Sequence, residues 1–258
     1  MNRKLLFSAL ACSLLFCFYS CGPGSISTVQ YPYSGFDHIV LRAPLHLTLT
    51  QDNSFAVELD ADSLYLPWFE IDMIGTTLYV DWAPDTTGFG AQDTIPFYDI
   101  DLTVHLPDLK KLDVHTFAKV ETSNQLQVND LDIDIIGAAD LALDAVGNDV
   151  QLDIKGGAEV EVILDANQFA AEVKGVEYLK ASGTVDSERF EIKGAGKIEA
   201  FDLLATHCEI EFAGAGDAEI TADSTLDVRI IGGGVIYYKG FPAIDQQILG
   251  VGRLINAN

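Results

Sequence analysis

Glu172-Val-Lys-Gly175, Glu191-Ile-Lys-Gly194 and Glu211-Phe-Ala-Gly214 are three copies of one short pattern, and this stretch decides the fold. The pattern extends in both directions along the chain. Its glycines lie at positions 137, 156, 175, 194, 214, 232 and 250, so successive intervals are 19, 19, 19, 20, 18 and 18 residues. A constant period near 19 is typical of a repeat protein in which each repeat forms one layer of a stack.

Apolar and polar residues alternate with period two around each glycine, which predicts β-strands. The residue two positions before the glycine is Ile135, Ile154, Val173, Ile192, Phe212, Ile230 and Ile248 in successive repeats. Hairpins would need recurring turn pairs such as Asn-Gly, and leucine-rich repeats would need a fixed Asn; the sequence has neither pattern. The sequence therefore predicts an all-β, single-domain parallel β-helix, or solenoid, with rungs of about 19 residues and a right-handed coil.

The N-terminal segment predicts export and a lipid anchor. Two basic residues, Arg3 and Lys4, precede an apolar run that is too short to span a bilayer and ends at Ser20-Cys21-Gly22. This junction resembles a bacterial lipobox, which implies cleavage before Cys21 and lipid on its sulfur. The alternative is a soluble secretory protein with an unmodified Cys21. Cys208 would be the one other cysteine of the mature chain, at an inward strand position.

Four segments are expected along the chain. Residues 1–20 form the signal peptide, and residues 21–34 form a lipid-anchored tether. Residues 35–112 form an irregular N-terminal β region of the solenoid, in which strands alternate but their spacing varies, with a surface loop from Pro84 to Pro96. Residues 113–258 form the regular solenoid repeats, and Asp113-Val-His-Thr116 begins them with Thr in the glycine position.

The chain is strongly acidic, with 15 basic and 39 acidic residues and a net charge of −24. This charge argues against nucleic acid and anionic membrane surfaces as partners. The expected partners are the membrane, through the lipid anchor, and a glycan or a host or matrix protein. Apolar Ile231, Val235 and Tyr237 occupy outward positions near the C-terminus. They predict that this end is covered either by the tail from Phe241 onward or by a second chain, and the second alternative would make a homo-oligomer.

One outward column of the predicted stack is acidic, and it consists of Asp134, Asp153, Glu172, Glu191 and Glu211. Stacked carboxylates are ligands suited to calcium. The neighbouring column carries Lys155, Lys174 and Lys193, and opposite charges in adjacent columns instead favour a solvated, ion-paired face. The five histidines, at positions 38, 46, 105, 115 and 207, have no metal-ligand spacing. No cofactor and no catalytic residue is expected.

The order of several segments resembles the bacterial family described as putative auto-transporter adhesin, head GIN domain. The matching pieces are Gly35-Phe-Asp-His-Ile, Leu47-Thr-Leu-Thr-Gln-Asp, Gly75-Thr-Thr-Leu-Tyr-Val, Val104-His-Leu-Pro-Asp-Leu-Lys-Lys-Leu and Gly194-Ala-Gly-Lys-Ile-Glu-Ala200. The resemblance runs from about Gly35 to Asn256, where the nearest Gly-Ile-Asn is the stretched Gly252-Arg-Leu-Ile-Asn256. It implies an exported β-helical protein with an adhesive role, and it carries no catalytic residues.

The predicted function is a non-catalytic lipoprotein of the cell envelope, an adhesin or binding module that uses a solenoid surface. The predicted location is the outer membrane, on its surface or periplasmic face. The alternative is a polysaccharide-cleaving lyase or hydrolase on the same fold. Such an enzyme would need clustered acids and an Arg in one groove, whereas Arg189, Arg229 and Arg253 are scattered along the sequence.

Overall fold

The computed structural model describes residues 25–83, 100–175 and 178–258. The signal peptide, Cys21 and the predicted loop from Pro84 to Pro96 lie outside the described residues. The strands are β1 (Ile26–Tyr31), β2 (His38–Leu41), β3 (His46–Gln51), β4 (Ala56–Asp62), β5 (Phe69–Ile74), β6 (Thr77–Trp82), β7 (Asp101–Leu106), β8 (Lys111–Val114), β9 (Ala118–Thr122), β10 (Leu126–Gly175), β11 (Tyr178–Gly194), β12 (Lys197–Gly214), β13 (Asp217–Gly232), β14 (Val235–Lys239), β15 (Ala243–Gly250) and β16 (Arg253–Asn256). A short 3₁₀ helix, Leu66–Trp68, precedes β5.

Parallel pairing of successive repeats confirms the predicted solenoid. Ile192 of β11 pairs with Val173 of β10 and with Phe212 of β12, in the register that the glycine spacing predicts. These three side chains are at most 1% exposed. The same inward alternation runs through β13, so identical positions of consecutive rungs form continuous apolar columns. Burial of each aliphatic side chain contributes roughly 1.5–3 kcal/mol, and the stack buries what a single rung would leave exposed.

The glycine column turns a corner at which consecutive rungs touch backbone to backbone. Gly156 has a φ of +145°, and a Cβ at this position would lie 2.0 Å from the carbonyl oxygen of Gly137. The same contact recurs three rungs later, where a Cβ on Gly214 would lie 1.9 Å from the Gly194 oxygen. Glycine is thus required both for the left-handed backbone and for the close approach of the rungs.

Gly156→Ala is expected to lower the free energy of unfolding by about 3 kcal/mol, because both the backbone strain and the clash with Gly137 must be relieved. Gly233→Ala is the matched control, since its Cβ would meet only Val251 Cγ2, at 3.7 Å. The control should change stability by less than about 1 kcal/mol. Urea denaturation of the two variants measures both values, and similar losses would contradict the corner contact.

The N-terminal strands join the stack out of chain order. The rung made by β2 and β3 lies between the strands β6 and β7 on one side and β8 and β9 on the other. β8 and β9 then pair with β10, where the regular repeats begin. Three antiparallel pairings, β1 with β4, β4 with β7 and β5 with β6, complete the N-terminal end.

The prediction that residues 21–34 form a tether is wrong for Ile26–Tyr31. These residues form β1, which pairs antiparallel with β4 from Ile26–Asp62 to Tyr31–Val57. Alternate residues of β1 are half-buried, and Thr28 and Gln30 donate side-chain hydrogen bonds to Asp60 and Glu58. The partner strand is about thirty residues away, and a local reading of the sequence does not reveal it.

Candidate functional site

The predicted acidic column exists as a stack of carboxylates. Glu172, Glu191 and Glu211 are register partners in β10, β11 and β12, and Asp134 pairs with Asp113 of β8. The carboxylates of Asp134 and Asp153 lie close together. The column ends where Glu211 pairs with Arg229. The outward face of the solenoid therefore carries one line of acids, as the sequence predicts.

Lysines neutralise the middle of this column. Lys174 Nζ lies 2.5 Å from Glu172, and Lys193 Nζ lies 3.6 Å from Glu172 and also contacts Glu191. The hydrogen bond from Lys174 lowers the pKa of Glu172, and the bond to Glu191 raises the pKa of Lys193. Ion pairing therefore accounts for both the acidic column and the lysine column at these rungs. It leaves Glu172 and Glu191 poorly placed to serve as calcium ligands.

The other end of the acidic column, next to β8, contains a tighter cluster of carboxylates. Asp132, Asp134 and Asp153 bring their oxygens within 4.8 Å of one another, the single such group of potential metal ligands in the described residues. Lys111 Nζ lies 2.8 Å from Asp134, 3.2 Å from Asp132 and 3.3 Å from Asp113. These contacts raise the pKa of Lys111, so its ammonium group bridges Asp132 and Asp134.

Calcium should therefore raise the melting temperature of the wild-type protein no more than magnesium does at equal ionic strength. Lys111→Met removes the ammonium and leaves the carboxylates of Asp113, Asp132, Asp134 and Asp153 without it. This variant should become selectively stabilised by millimolar calcium, because hard oxygen ligands bind that ion. Thermal melts in the two salts test this expectation, and selective stabilisation of the wild type by calcium would contradict it.

A surface cleft of about 270 Å³ lies on a different part of the solenoid, across β11 to β14. It is lined by Lys180, Glu199, Phe201, Asp202, Glu219 and Lys239. A β-bulge forms it: β12 pairs with β13 at Ala200–Ile220 and next at Leu204–Thr221, so Phe201, Asp202 and Leu203 have no partner in β13. The sequence contains a signal for this bulge, because the one 20-residue interval between glycines runs from Gly194 to Gly214.

The cleft holds both paired and unpaired charges. Lys180 pairs with Glu161 at 2.6 Å, and Glu199 accepts hydrogen bonds from Lys197 and from the Tyr178 hydroxyl. Asp202, Glu219 and Lys239 form no close ion pair within the part of the chain that the structure describes, and Glu219 acts on Lys197 only at longer range. The Lys239 ammonium lies 4.0 Å from the centroid of the Phe201 ring, a cation–π contact that holds it over the bulge.

Cleavage of a glycosidic bond uses a pair of carboxyl groups, and Glu199 does not suit the acid of such a pair. Such a pair needs one carboxylic acid with a raised pKa. Hydrogen bonds from Lys197 and Tyr178 instead lower the pKa of Glu199. The lining of the cleft combines hydrogen-bond donors, acceptors and one aromatic ring.

Four of the five histidines have local polar partners. His38 contacts Asp113 at 2.9 Å, and His105 contacts Asp52 at 2.6 Å. His46 lies between Asp101 and Glu121, and His207 contacts the Thr225 hydroxyl at 2.8 Å. The cluster of potential metal ligands in the described residues contains no histidine.

Within the described residues, the interior contains one carboxylic acid, which the repeat pattern does not reveal. Glu188 is 1% exposed and occupies an inward position between Phe169 and Cys208. Cys208 is buried, as predicted. Neither oxygen of Glu188 meets a hydrogen-bond donor at normal geometry among the described residues. Burial raises the pKa of Glu188 to about 8, against a weak opposing effect of the Cys208 thiol.

Comparisons with known proteins agree with this architecture. The profile of the family described as putative auto-transporter adhesin, head GIN domain, matches residues 35–242. Two crystal structures from Parabacteroides distasonis are similar: a putative lipid binding protein (TM-score 0.82, 23% identity, 92% of this chain and 98% of that one) and a putative adhesin (TM-score 0.77, 20% identity, 91% and 98%). A putative adhesin from Parabacteroides merdae has a TM-score of 0.74, with 20% identity over 92% of this chain and 98% of that one.

At these identities the solved structures establish the fold alone. A search of curated proteins finds no match to the chain. Among the described residues, no helix has the length and apolar character needed to cross a membrane.

Proposed function

Because this chain belongs to the family described as putative auto-transporter adhesin, head GIN domain, we propose that it is a non-catalytic binding module of the cell envelope. A signal peptide at residues 1–20 directs its export, and lipid on Cys21 anchors it in the outer membrane. β1 begins at Ile26, so only a few residues separate the anchor from the stack. The solenoid then stands close to the membrane on a short connection.

The ligand in this proposal is a glycan, recognised at the cleft around the bulge of β12. The observation that carries it is that Asp202, Glu219 and Lys239, which form no close ion pair in the described chain, line one cleft together with Phe201. Sugar hydroxyls both donate and accept hydrogen bonds, so carboxylate and ammonium groups side by side suit them. The cleft is small and open, which fits one residue of a longer chain better than a fully enclosed small molecule.

A glycan and matrix-protein array probed with the mature chain tests the proposal. The protein should bind at least one glycan, and Lys239→Ala should weaken that binding at least tenfold. Lys119→Ala is the matched control, because its half-exposed side chain pairs with Glu121 in a rung far from the cleft. Binding to a matrix protein that ignores Lys239→Ala would contradict the glycan cleft, and an array without any bound component would contradict the binding role.

Two further measurements separate the remaining elements of the proposal. The bound glycan should be recovered intact after prolonged incubation, and new reducing ends or unsaturated products would show the polysaccharide-cleaving alternative instead.

Cys21→Ala should release the protein from the membrane fraction or leave its precursor uncleaved. Normal processing with unchanged membrane partitioning would contradict the lipid anchor.

A further inference from the structure

The two ends of the solenoid are finished differently. At the N-terminal end, strands β1, β4 and β5 reverse direction and pair antiparallel, and Trp68, Phe69 and Trp82 pack edge to face beside them. At the C-terminal end, the tail from Phe241 onward covers the rung of β13 and β14. In this tail β15 pairs with β13 and β16 pairs with β14, both in parallel. The tail therefore adds one more rung of the same kind, without a reversal that would close the stack.

This last rung is apolar and open. Ile244 and Ile248 continue the inward columns above Leu226 and Ile230, which are fully buried. No strand of the described residues lies beyond them, and Ile244 and Ile248 are 40% and 37% exposed. Other apolar side chains of the same rung are also exposed: Phe241, Leu249 and Val251 are 90%, 50% and 85% exposed.

The outer edge of β15 also lacks a strand. Its one sheet partner in the described residues is β13, and each of its eight residues is exposed. An edge of this length with unpaired backbone groups is a template for another strand. Natural edge strands are often protected by charged side chains, above all lysine, by proline or by a bulge. Between Ala243 and Gly250, β15 has a single charged residue, Asp245, and neither lysine nor proline.

We propose that this C-terminal rung is the interface of a head-to-head dimer, in which β15 of one copy pairs antiparallel with β15 of a second copy. Charge favours a second copy as the occupant. The chain as a whole has a net charge of −24, yet from residue 240 onward it has one acidic side chain, Asp245, and one basic side chain, Arg253. Two such strongly acidic molecules repel each other least where a neutral surface faces its copy, and this rung provides one.

The strand sequence is complementary to itself. A two-fold axis through Gln246 places Ile244 of each copy opposite Ile248 of the other, so the inward apolar columns continue across the interface. The same axis places Asp245 opposite Gln247, so no two like charges face each other. An isologous contact of this kind closes after two copies and forms no fibre.

Sedimentation velocity of the mature chain, produced without lipid, tests the proposal. The wild type should be a dimer at micromolar concentration, and Ile244→Lys should raise the dissociation constant at least tenfold by placing a charge on both sides of the axis. Ile74→Lys is the control, because Ile74 is 69% exposed on β5 at the opposite end. Circular dichroism melts verify that both variants fold.

A wild type that stays monomeric at 100 µM overturns the proposal. The proposal is also overturned if Ile74→Lys dissociates the dimer and Ile244→Lys does not, because the interface would then lie at the N-terminal end. A stable complex with another envelope protein through β15, in the absence of a dimer, would assign the edge to a different partner. None of these outcomes depends on the glycan cleft, which lies on the side of the stack.

Discussion

The free energy of unfolding should fall by about 5 kcal/mol as pH rises from 4.5 to 8, through the ionisation of Glu188 alone. The folded protein holds this carboxyl at 1% exposure among Phe169, Cys208 and the apolar columns. Burial raises its pKa from the ordinary 4.5 to about 8. An ionised carboxylate without a hydrogen-bond partner is costly in such surroundings, so the folded state retains the proton.

The sign of this effect follows from the proton count. Between pH 4.5 and pH 8 the folded state binds a proton at Glu188 that the unfolded state has released. Raising the pH across this window therefore favours unfolding, by about 1.4 kcal/mol per pH unit. Below pH 4.5 both states bind the proton and the penalty is absent. Above pH 8 both have released it, and the penalty is complete.

Glu188→Gln isolates this contribution from the repulsion among the many surface carboxylates. The glutamine has nearly the same shape as the protonated acid and does not titrate. Urea denaturation of both proteins at pH 4.5, 6 and 8 should give similar stabilities at the lowest pH and a variant more stable by several kcal/mol at the highest. If the unfolding free energies of the wild type and of Glu188→Gln changed with pH in parallel, the Glu188 carboxylate would have to reach water in the folded state.

The regular part of the solenoid could be predicted from its sequence because each rung repeats the same requirements at the same positions. The glycine column marks the corner, and the residues two before each glycine, such as Ile192 and Phe212, mark the interior. The charged columns follow from the same register, and the structure confirms the pairing of Lys174 and Lys193 with the acidic column.

The N-terminal region could be predicted only as strands, because its pairing is not sequential. The rung of β2 and β3 contacts β6 and β7 as well as β8 and β9, and no periodic spacing encodes that order. β1 illustrates the limit. Its polar, half-buried sequence is typical of a linker, and only its antiparallel partner β4 makes it a strand.

The cleft and the buried acid are departures from the repeat, which explains why the sequence analysis missed them. The bulge at Phe201 and Asp202 appears in the sequence as a single longer interval between glycines. Glu188 lies six residues before Gly194, in an inward column whose neighbours are Phe169 and Cys208. One polar residue in that column does not change the period, so the alternation alone gives no indication that it is unusual.

The central claim is that equivalent positions of successive repeats stack in register, with one face of each strand inside. Ile192 and Lys193 are adjacent in β11 and test this claim in one place. Ile192 is 1% exposed between Val173 and Phe212. The side chain of Lys193 is 45% exposed and contacts Glu172 and Glu191.

Ile192→Asp places a carboxylate in the apolar column, where it has no partner, and should cost about 4 kcal/mol or more. Lys193→Asp removes exposed ion pairs and adds one like charge, which should cost about 1 kcal/mol. Urea denaturation of these two variants at pH 7 is the most direct measurement. The stacked register predicts a far lower unfolding midpoint for Ile192→Asp than for Lys193→Asp. Equal losses, or a larger loss for Lys193→Asp, would contradict it.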